Sequence, residues 1–274
     1  MLLKAGADVD AASDSGSTPI RSACYIVRPG AQTSHYDIVK CLIKAGADLG
    51  KTNQFGGTCL INSVQSAALV KLLLDTKRVD VNSQDIQRKT ALHYAVQENR
   101  LESAKLLLSH GADPMILSKY GDDVLQTACL KGSLHIFNHL LETVFYDPGR
   151  IAEAFELIGT TFLIDFHDIG STLFFWRKAL EIRYEGEFRH YPKVLDHDRT
   201  HPVLEVREFD SKQEIDDLHG DPKAMKIQAL LITERILGEG HKDTIFRYNY
   251  FHKIFKLYFQ SFFKKVYVCW SSSC

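Results

Sequence analysis

The sequence predicts an all-α fold of repeated helix pairs, because two sets of short markers recur with the same spacing. Markers that open a helix are 40, 32 and 33 residues apart: Thr18-Pro19-Ile20, Thr58-Cys59-Leu60, Thr90-Ala91-Leu92 and Asp123-Val124-Leu125. Markers that follow a helix show the same three steps: Gly6-Ala7-Asp8, Gly46-Ala47-Asp48, Arg78-Val79-Asp80 and Gly111-Ala112-Asp113. Two independent markers with one period indicate a solenoid of stacked repeats.

The best-preserved copy indicates the type of repeat. Thr90-Ala91-Leu92-His93-Tyr94-Ala95 is close to the T-P-L-H-x-A signature that opens an ankyrin repeat. We expect the His93 imidazole to tie the start of its helix to the preceding turn. Glycine at positions 6, 46 and 111 suits the left-handed backbone that ends a helix. The sequence therefore predicts ankyrin repeats over residues 1–146, as a partial first repeat and about four further units.

Each repeat also predicts an amphipathic second helix. Apolar residues fall at i, i+3, i+4 and i+7 within 36–43, 68–74, 101–108 and 134–141. Each helix would therefore lay one apolar stripe on its neighbours. The longest step between repeats holds about seven extra residues between Ile26 and Ser34, and these include Pro and Gly. We expect them to form a surface loop between two helices.

The repeat pattern stops at Asp147-Pro148-Gly149, and residues 147–250 predict a tetratricopeptide-like helical region. Apolar periodicity predicts helices over 151–161, 172–184 and 222–237, the last with Asp221 as its cap and Gly238 as its end. Residues 185–221 read as an irregular linker with one short helix around Glu214. Residues 251–274 form an aromatic and basic tail whose role stays open between a buried helix pair and a helix on a membrane surface.

Composition excludes few partners by itself. The chain is 45% hydrophobic and 24% charged with a formal net charge of −1, which favours neither nucleic acid nor membrane as a partner. Its six cysteines are scattered and form no CxxC pair, so we expect a reducing compartment and no disulfides. The expected location is the cytoplasm, with the nucleus as an additional place.

No catalytic motif stands out, and we expect a protein that is not an enzyme and holds no cofactor or metal. His197 and His201 have the spacing of zinc-binding helices, but Asp198 stands where a Glu general base would follow, and Pro202 comes directly after. A solvated linker explains this stretch better. Glycine-rich phosphate loops and G-x-S-x-G are also absent from the sequence.

The chain begins with Leu2-Leu3-Lys4-Ala5-Gly6, which reads as the last turn of an ankyrin helix. A solenoid repeat buries its apolar face only against neighbours, and terminal repeats carry a polar cap. We therefore expect a chain that is truncated at both ends, with an exposed apolar edge at Ile20, Ala23 and Leu42.

Three later segments carry a more specific resemblance. They are Ala154-Phe155-Glu156-Leu157-Ile158-Gly159-Thr160-Thr161-Phe162, Trp176-Arg177-Lys178-Ala179-Leu180-Glu181-Ile182-Arg183-Tyr184, and Gln228-Ala229-Leu230-Leu231-Ile232-Thr233-Glu234-Arg235-Ile236-Leu237-Gly238 with His241-Lys242-Asp243-Thr244. Together with the repeats, notably Ser17-Thr18-Pro19-Ile20-Arg21-Ser22-Ala23-Cys24, they resemble the Fem (feminization) family. Members have ankyrin repeats, a tetratricopeptide-like region and further ankyrin repeats.

The resemblance implies a substrate receptor of cullin-RING ubiquitin ligases, which recognises the extreme C-terminus of a substrate, often with Arg at or near the end. Elongin and cullin would be reached only through regions missing from this chain. The implied peptide site lies on the turns and first helices: Ser17, Arg21, Tyr25, Asn53, Phe55, Asp85 and Arg88. The family has an acid where this chain has Ile26. An ankyrin scaffold unrelated to ubiquitin remains the alternative.

Overall fold

The computed structural model describes residues 5–26, 34–185, 191–193 and 206–254. These residues form helices, turns and loops without a β-strand, which confirms the predicted all-α class. Contacts divide the chain into two units, unit 1 up to Val144 and unit 2 from Phe145. The sequence had suggested a boundary after residue 146.

Unit 1 contains four consecutive helix pairs. The first helices are α1 (Pro19–Ile26), α3 (Cys59–Ser63), α5 (Ala91–Gln97) and α7 (Val124–Lys131). The second helices are α2 (Ser34–Lys44), α4 (Ala67–Asp75), α6 (Leu101–Ser109) and α8 (Leu134–Thr143), each at its predicted place. Residues 27–33, which hold the predicted surface loop, lie outside the described residues.

The predicted opening markers act as helix caps. The side chains of Thr58, Thr90 and Asp123 each accept a hydrogen bond from the backbone amide three residues later. Such a cap satisfies an amide that has no partner within its own helix. His93 completes the cap of α5, because its Nδ1 lies 3.2 Å from the Thr90 amide nitrogen and accepts its hydrogen. The expected role of His93 is confirmed.

The turns before the first helices are joined in a ladder, and we call each turn a finger. The Gln54 amide donates to the Ser15 carbonyl at 3.1 Å. The Ile86 amide donates to the Phe55 carbonyl at 3.0 Å, and the Lys119 amide donates to the Gln87 carbonyl at 2.8 Å. Backbone pairing therefore fixes the fingers of successive repeats relative to one another.

The predicted apolar edge is wrong for its three named residues. Ile20, Ala23 and Leu42 are only 1%, 7% and 7% exposed. The reason is that α1 packs on α2 of its own repeat and on α3 of the next one. These side chains therefore lie inside the first two repeats.

The described part of unit 2 contains α9 (Pro148–Asp165), α10 (Ile169–Tyr184), α11 (Lys212–Leu218), α12 (Pro222–Leu237) and α13 (Lys242–Ile254). The first pair is longer than predicted, because Asp147 and Asp168 cap α9 and α10 and Pro148 takes the first helical position. Helix α12 has its predicted bounds, with Asp221 as cap and Gly238 after its end. Helix α11 lies at the predicted short helix.

Helices α9 and α10 pack closely because one glycine faces one tryptophan. A Cβ atom on Gly159 would lie 2.8 Å from Cδ1 of Trp176, which is too close for any larger residue. The Trp176 indole donates to the Glu156 carbonyl oxygen at 3.2 Å. The surrounding core also takes residues from α11, α12 and α13, among them Ile215, Met225 and Tyr248.

The described parts of the predicted linker are not a solvated spacer. Lys193, Glu208 and Phe209 are 7%, 5% and 3% exposed. Glu208 accepts from Arg235 at 2.8 Å, and Lys193 Nζ lies 4.0 Å from the centroid of the Phe209 ring. Unit 2 can bury the charges of Lys193 and Glu208 because it provides partners for them.

Glu156 is the centre of this buried charge network. Its carboxylate accepts from Arg183 Nε and Nη2, both at 3.0 Å, and from Arg235 Nη2 at 2.6 Å. Lys193 Nζ lies 3.8 Å from Glu156 Oε1. Burial opposes the ionisation of Glu156, but the cations of Arg235, Lys193 and Arg183 outweigh it and lower its pKa to about 2.

Within the described part of the chain, no helix combines the length and apolar character needed to cross a bilayer. The same residues contain no cluster of three or more His, Cys, Asp or Glu side chains suited to a metal ion. The His197 and His201 pair and the tail beyond Ile254 lie outside the described ranges.

We expect Glu156→Gln to destabilise unit 2 by about 3–5 kcal/mol, because it leaves buried cations without their shared anion. Chemical denaturation followed by circular dichroism measures this change. The control is Glu181→Gln, which removes exposed pairs with Lys178 and Lys212 and should cost less than about 1 kcal/mol. Equal losses in the two variants would contradict the network.

The stability that Glu156 contributes should depend on pH. Because its folded pKa is about 2 and its ordinary value is 4.5, the contribution is complete above about pH 4.5 and declines as the pH falls toward 2. The difference in unfolding free energy between wild type and Glu156→Gln should therefore shrink below that pH. Denaturation titrations at neutral pH and near pH 3 test this, and an unchanged difference would refute it.

Candidate functional site

The candidate site is a cavity in unit 1 of about 310 Å³. It is lined by side chains of α1, α3 and the residues just before them: Ser17, Arg21, Ser22, Tyr25, Asn53 and Asn62. The structure thus brings together four of the residues singled out from the sequence, Ser17, Arg21, Tyr25 and Asn53. It does not place Phe55, Asp85 or Arg88 around this cavity.

Local structure explains this grouping. Ser17 ends the first finger, and Arg21 and Tyr25 follow at intervals of four residues, which keeps them on one face of α1. Asn53 belongs to the second finger, where its Oδ1 accepts from the Phe55 and Gly57 amides at 3.1 and 2.9 Å. The cavity therefore lies between two adjacent repeats whose fingers are joined by backbone hydrogen bonds.

Arg21 is the buried charge of the site. Arg21 is only 4% exposed, and its Nη1 donates to Ser17 Oγ at 2.8 Å. Its Nε has no hydrogen-bond partner among the described residues. A Cβ atom on Gly57 would lie 2.9 Å from Arg21 Nη2, so the missing side chain at Gly57 leaves room for the guanidinium.

The position of Arg21 in its helix accounts for its unused donors. His93 and Gln126 lie at the same third helical position, where their side chains bond back to the residue that starts the helix. Arg21 has no acceptor and cannot make that bond. The hydroxyl of Thr18 also lacks a partner among the described residues, although Thr18 is 1% exposed. This repeat therefore has an incomplete cap beside its cavity.

The groups around Arg21 do not neutralise it. None of the described residues that line the cavity is Asp or Glu. Burial lowers the pKa of Arg21, since a charge is costly away from water. Burial also raises the pKa of the Cys24 thiol, and raises that of Cys59 to about 12, so both thiols are neutral at pH 7. Among the described residues around the cavity, Arg21 therefore supplies a positive charge that no carboxylate opposes, which suits an anionic ligand.

The three predicted residues away from the cavity have other contacts. Phe55 is 53% exposed on its finger. Asp85 Oδ1 accepts from the backbone amides of Gln87 and Lys89, and its Oδ2 accepts from the Tyr94 hydroxyl at 2.5 Å. Arg88 takes a left-handed backbone, with φ of 56°, in the same turn. Asp85 thus stabilises its finger, as Asn53 does in the preceding repeat.

Sequence reasoning missed two cavity residues, Ser22 and Asn62. They occupy equivalent positions, each four residues after the threonine that opens its helix. Asn62 Nδ2 donates to the Arg21 carbonyl oxygen at 3.1 Å and links the two repeats. Alignment of the repeat starts contained this signal, because one helical position in adjacent repeats lines one groove.

Comparison with known proteins supports the repeat assignment. A family model described as ankyrin repeats (three copies) matches residues 30–118. The mouse protein fem-1 homolog A-like is 31% identical over 255 aligned residues, which cover 77% of this chain and 38% of the relative. The rat protein fem-1 homolog A is 30% identical over 245 residues, or 74% of this chain and 37% of the relative.

The chain belongs to the Fem family of ankyrin-repeat proteins. Human protein fem-1 homolog C agrees with this, at 33% identity over 146 residues, which are 53% of this chain and 24% of the relative. The Fem-family chain spans less than two fifths of the length of these relatives. Its ankyrin repeats identify it as a protein-interaction module.

We expect alkylation to separate the cysteines of this unit. Cys41 is exposed, whereas Cys24 and Cys59 are buried neutral thiols beside Arg21. Because the thiolate is the reactive form, iodoacetamide at pH 7.5 should label Cys41 and leave the other two unlabelled in the folded protein. Peptide mass spectrometry reads the sites, with a denatured sample as the control. Labelling of Cys24 or Cys59 in the native sample would show that these thiols ionise.

Proposed function

We propose that this Fem-family chain is the substrate-recognition part of a cullin-RING ubiquitin ligase, and that its cavity takes the C-terminus of a substrate protein. The observation that carries the proposal is the buried Arg21 guanidinium, which borders an open cavity and has no carboxylate partner among the described residues. A peptide ends in a carboxylate, which is the anion that a guanidinium binds best.

The rest of the lining suits such a ligand. Hydroxyl groups of Ser17 and Ser22 and amide groups of Asn53 and Asn62 offer hydrogen bonds to a peptide backbone. Tyr25 is 75% exposed at the cavity and offers an aromatic surface to the residues that precede the terminus. The repeat scaffold holds these groups on two adjacent fingers and the first helices that follow them, so little reorganisation is needed on binding.

Ubiquitin transfer itself needs other proteins. We propose that elongin and cullin are contacted through parts of the full-length protein that lie outside this chain. Affinity purification of the full-length gene product tests this step. Recovery of both components supports a ligase, and their absence favours the ankyrin scaffold unrelated to ubiquitin.

The chain should bind peptides with a free C-terminus at least about tenfold more tightly than the same peptides with an amidated end, which corresponds to about 1.4 kcal/mol. Fluorescence anisotropy with a panel of labelled peptides measures both forms. Amidation removes the negative charge and leaves the peptide otherwise unchanged, so the ratio reports on carboxylate recognition.

Arg21→Gln should abolish this preference, because it removes the buried cation. Lys71→Gln is the matched control, since Lys71 is an exposed cation on α4 in the same unit. Both variants lose one positive charge, but only the first loses it from the cavity. Equal affinity for free and amidated ends across the whole panel would refute recognition of a C-terminus.

A further inference from the structure

The cavity has an unusual charge balance for a buried site. In unit 2, the buried Arg183 and the partly buried Arg235 have Glu156 and Glu208 as counterions. Buried arginines are normally paired in this way, because an uncompensated charge away from water is costly. Arg21 is 4% exposed, and the other described residues that line its cavity supply only hydroxyl and amide groups. Arg21 therefore has no counterion among the described residues of the cavity.

The nearby cysteines and the sequence that follows α1 do not change this charge balance. Burial keeps the adjacent thiols of Cys24 and Cys59 protonated at pH 7. The sequence that follows α1, residues 27–33, contains no Asp or Glu and one arginine, Arg28. Neither the groups that act on Arg21 nor residues 27–33 add a negative charge.

We propose that this cavity discriminates by charge at the last residue of its ligand: it accepts C-termini whose last side chain is neutral or acidic and rejects those that end in Arg or Lys. The proposal rests on the proposed function, that the cavity takes a peptide C-terminus. The α-carboxylate neutralises Arg21. A basic last side chain then brings a second cation to a site whose described lining residues include no acid to receive it.

One substitution should weaken or invert the preference for neutral and acidic last residues without disturbing the fold. Arg21 Nη2 and Asn53 Oδ1 lie 2.9 and 3.3 Å from the point that a Cβ atom on Gly57 would occupy, so Asn53 is close to the guanidinium. Its Oδ1 accepts from the amides two and four residues later. Asp85 makes the same two bonds in the next repeat, at 2.9 and 3.0 Å. Asp is therefore compatible with this turn, and Asn53→Asp adds a negative charge beside Arg21.

The experiment uses one peptide sequence that ends in Ala, Glu or Arg, each as free acid and as amide, and measures affinity by fluorescence anisotropy. For the wild-type chain we expect the Ala and Glu free acids to bind at least about tenfold more tightly than the Arg free acid. Asn53→Asp should reduce that ratio to about threefold or less, or invert it. Gln54→Glu, which adds the same charge at an exposed position on the same finger, should leave it unchanged.

Arg21→Gln provides a second measurement that does not depend on the behaviour of Asn53→Asp. Without the buried cation, the affinities for the Ala, Glu and Arg free acids should converge. Thermal unfolding of each variant verifies that it is folded before binding is measured.

The outcomes separate the two proposals. If the Arg free acid binds as tightly as the others or more tightly, charge selectivity is refuted, while a preference for free acids over amides still supports recognition of a C-terminus. If no peptide prefers the free acid, the proposed function fails, and the selectivity proposal fails with it. An unchanged ratio in a folded Asn53→Asp variant also overturns the selectivity proposal.

Discussion

One hydrogen bond, from an amide near the start of a first helix to the side chain that caps it, sets the geometry of α3, α5 and α7 in unit 1. Thr58, Thr90 and Asp123 make this cap, which fixes where these three helices begin. The helix start then decides which side chain occupies the third helical position beside the finger. In two repeats that side chain completes the cap, whereas Arg21 cannot do so and faces the cavity instead. The candidate site thus lies in a repeat that departs from this regular capping pattern.

The two units differ in whether their arginines have a carboxylate partner among the described residues. In unit 2, Arg183 and Arg235 both donate to Glu156, and their attraction to its carboxylate offsets the cost of burial. In unit 1, Arg21 is also buried, and Ser17 is the partner of one of its nitrogens. Local departures from complete pairing occur at functional sites more than elsewhere. This contrast, rather than the cavity volume, singles out the groove between the first two repeats.

Much of the architecture could be predicted because it follows from local rules. Repeat spacing, capping residues and apolar periodicity predicted the second helices of unit 1 and both ends of α12. Cavity residues were harder to predict: Ser22 and Asn62 carry ordinary polar side chains, and only the packing of α1 on α3 brings them to one groove. The sequence also predicts Phe55, Asp85 and Arg88 as binding residues because they lie on turns that project to the concave side, but they do not line this cavity.

By itself, the sequence determined the helix pairs, their period and the family, since caps, glycines and apolar stripes act over a few residues. Tertiary structure decided what is buried. It placed Ile20, Ala23 and Leu42 inside the repeats, and it brought Lys193 and Glu208 from an apparent linker into a charge network. It also left Arg21 buried without a counterion among the described residues. Burial and pairing depend on residues distant in the chain, and no local pattern encodes them.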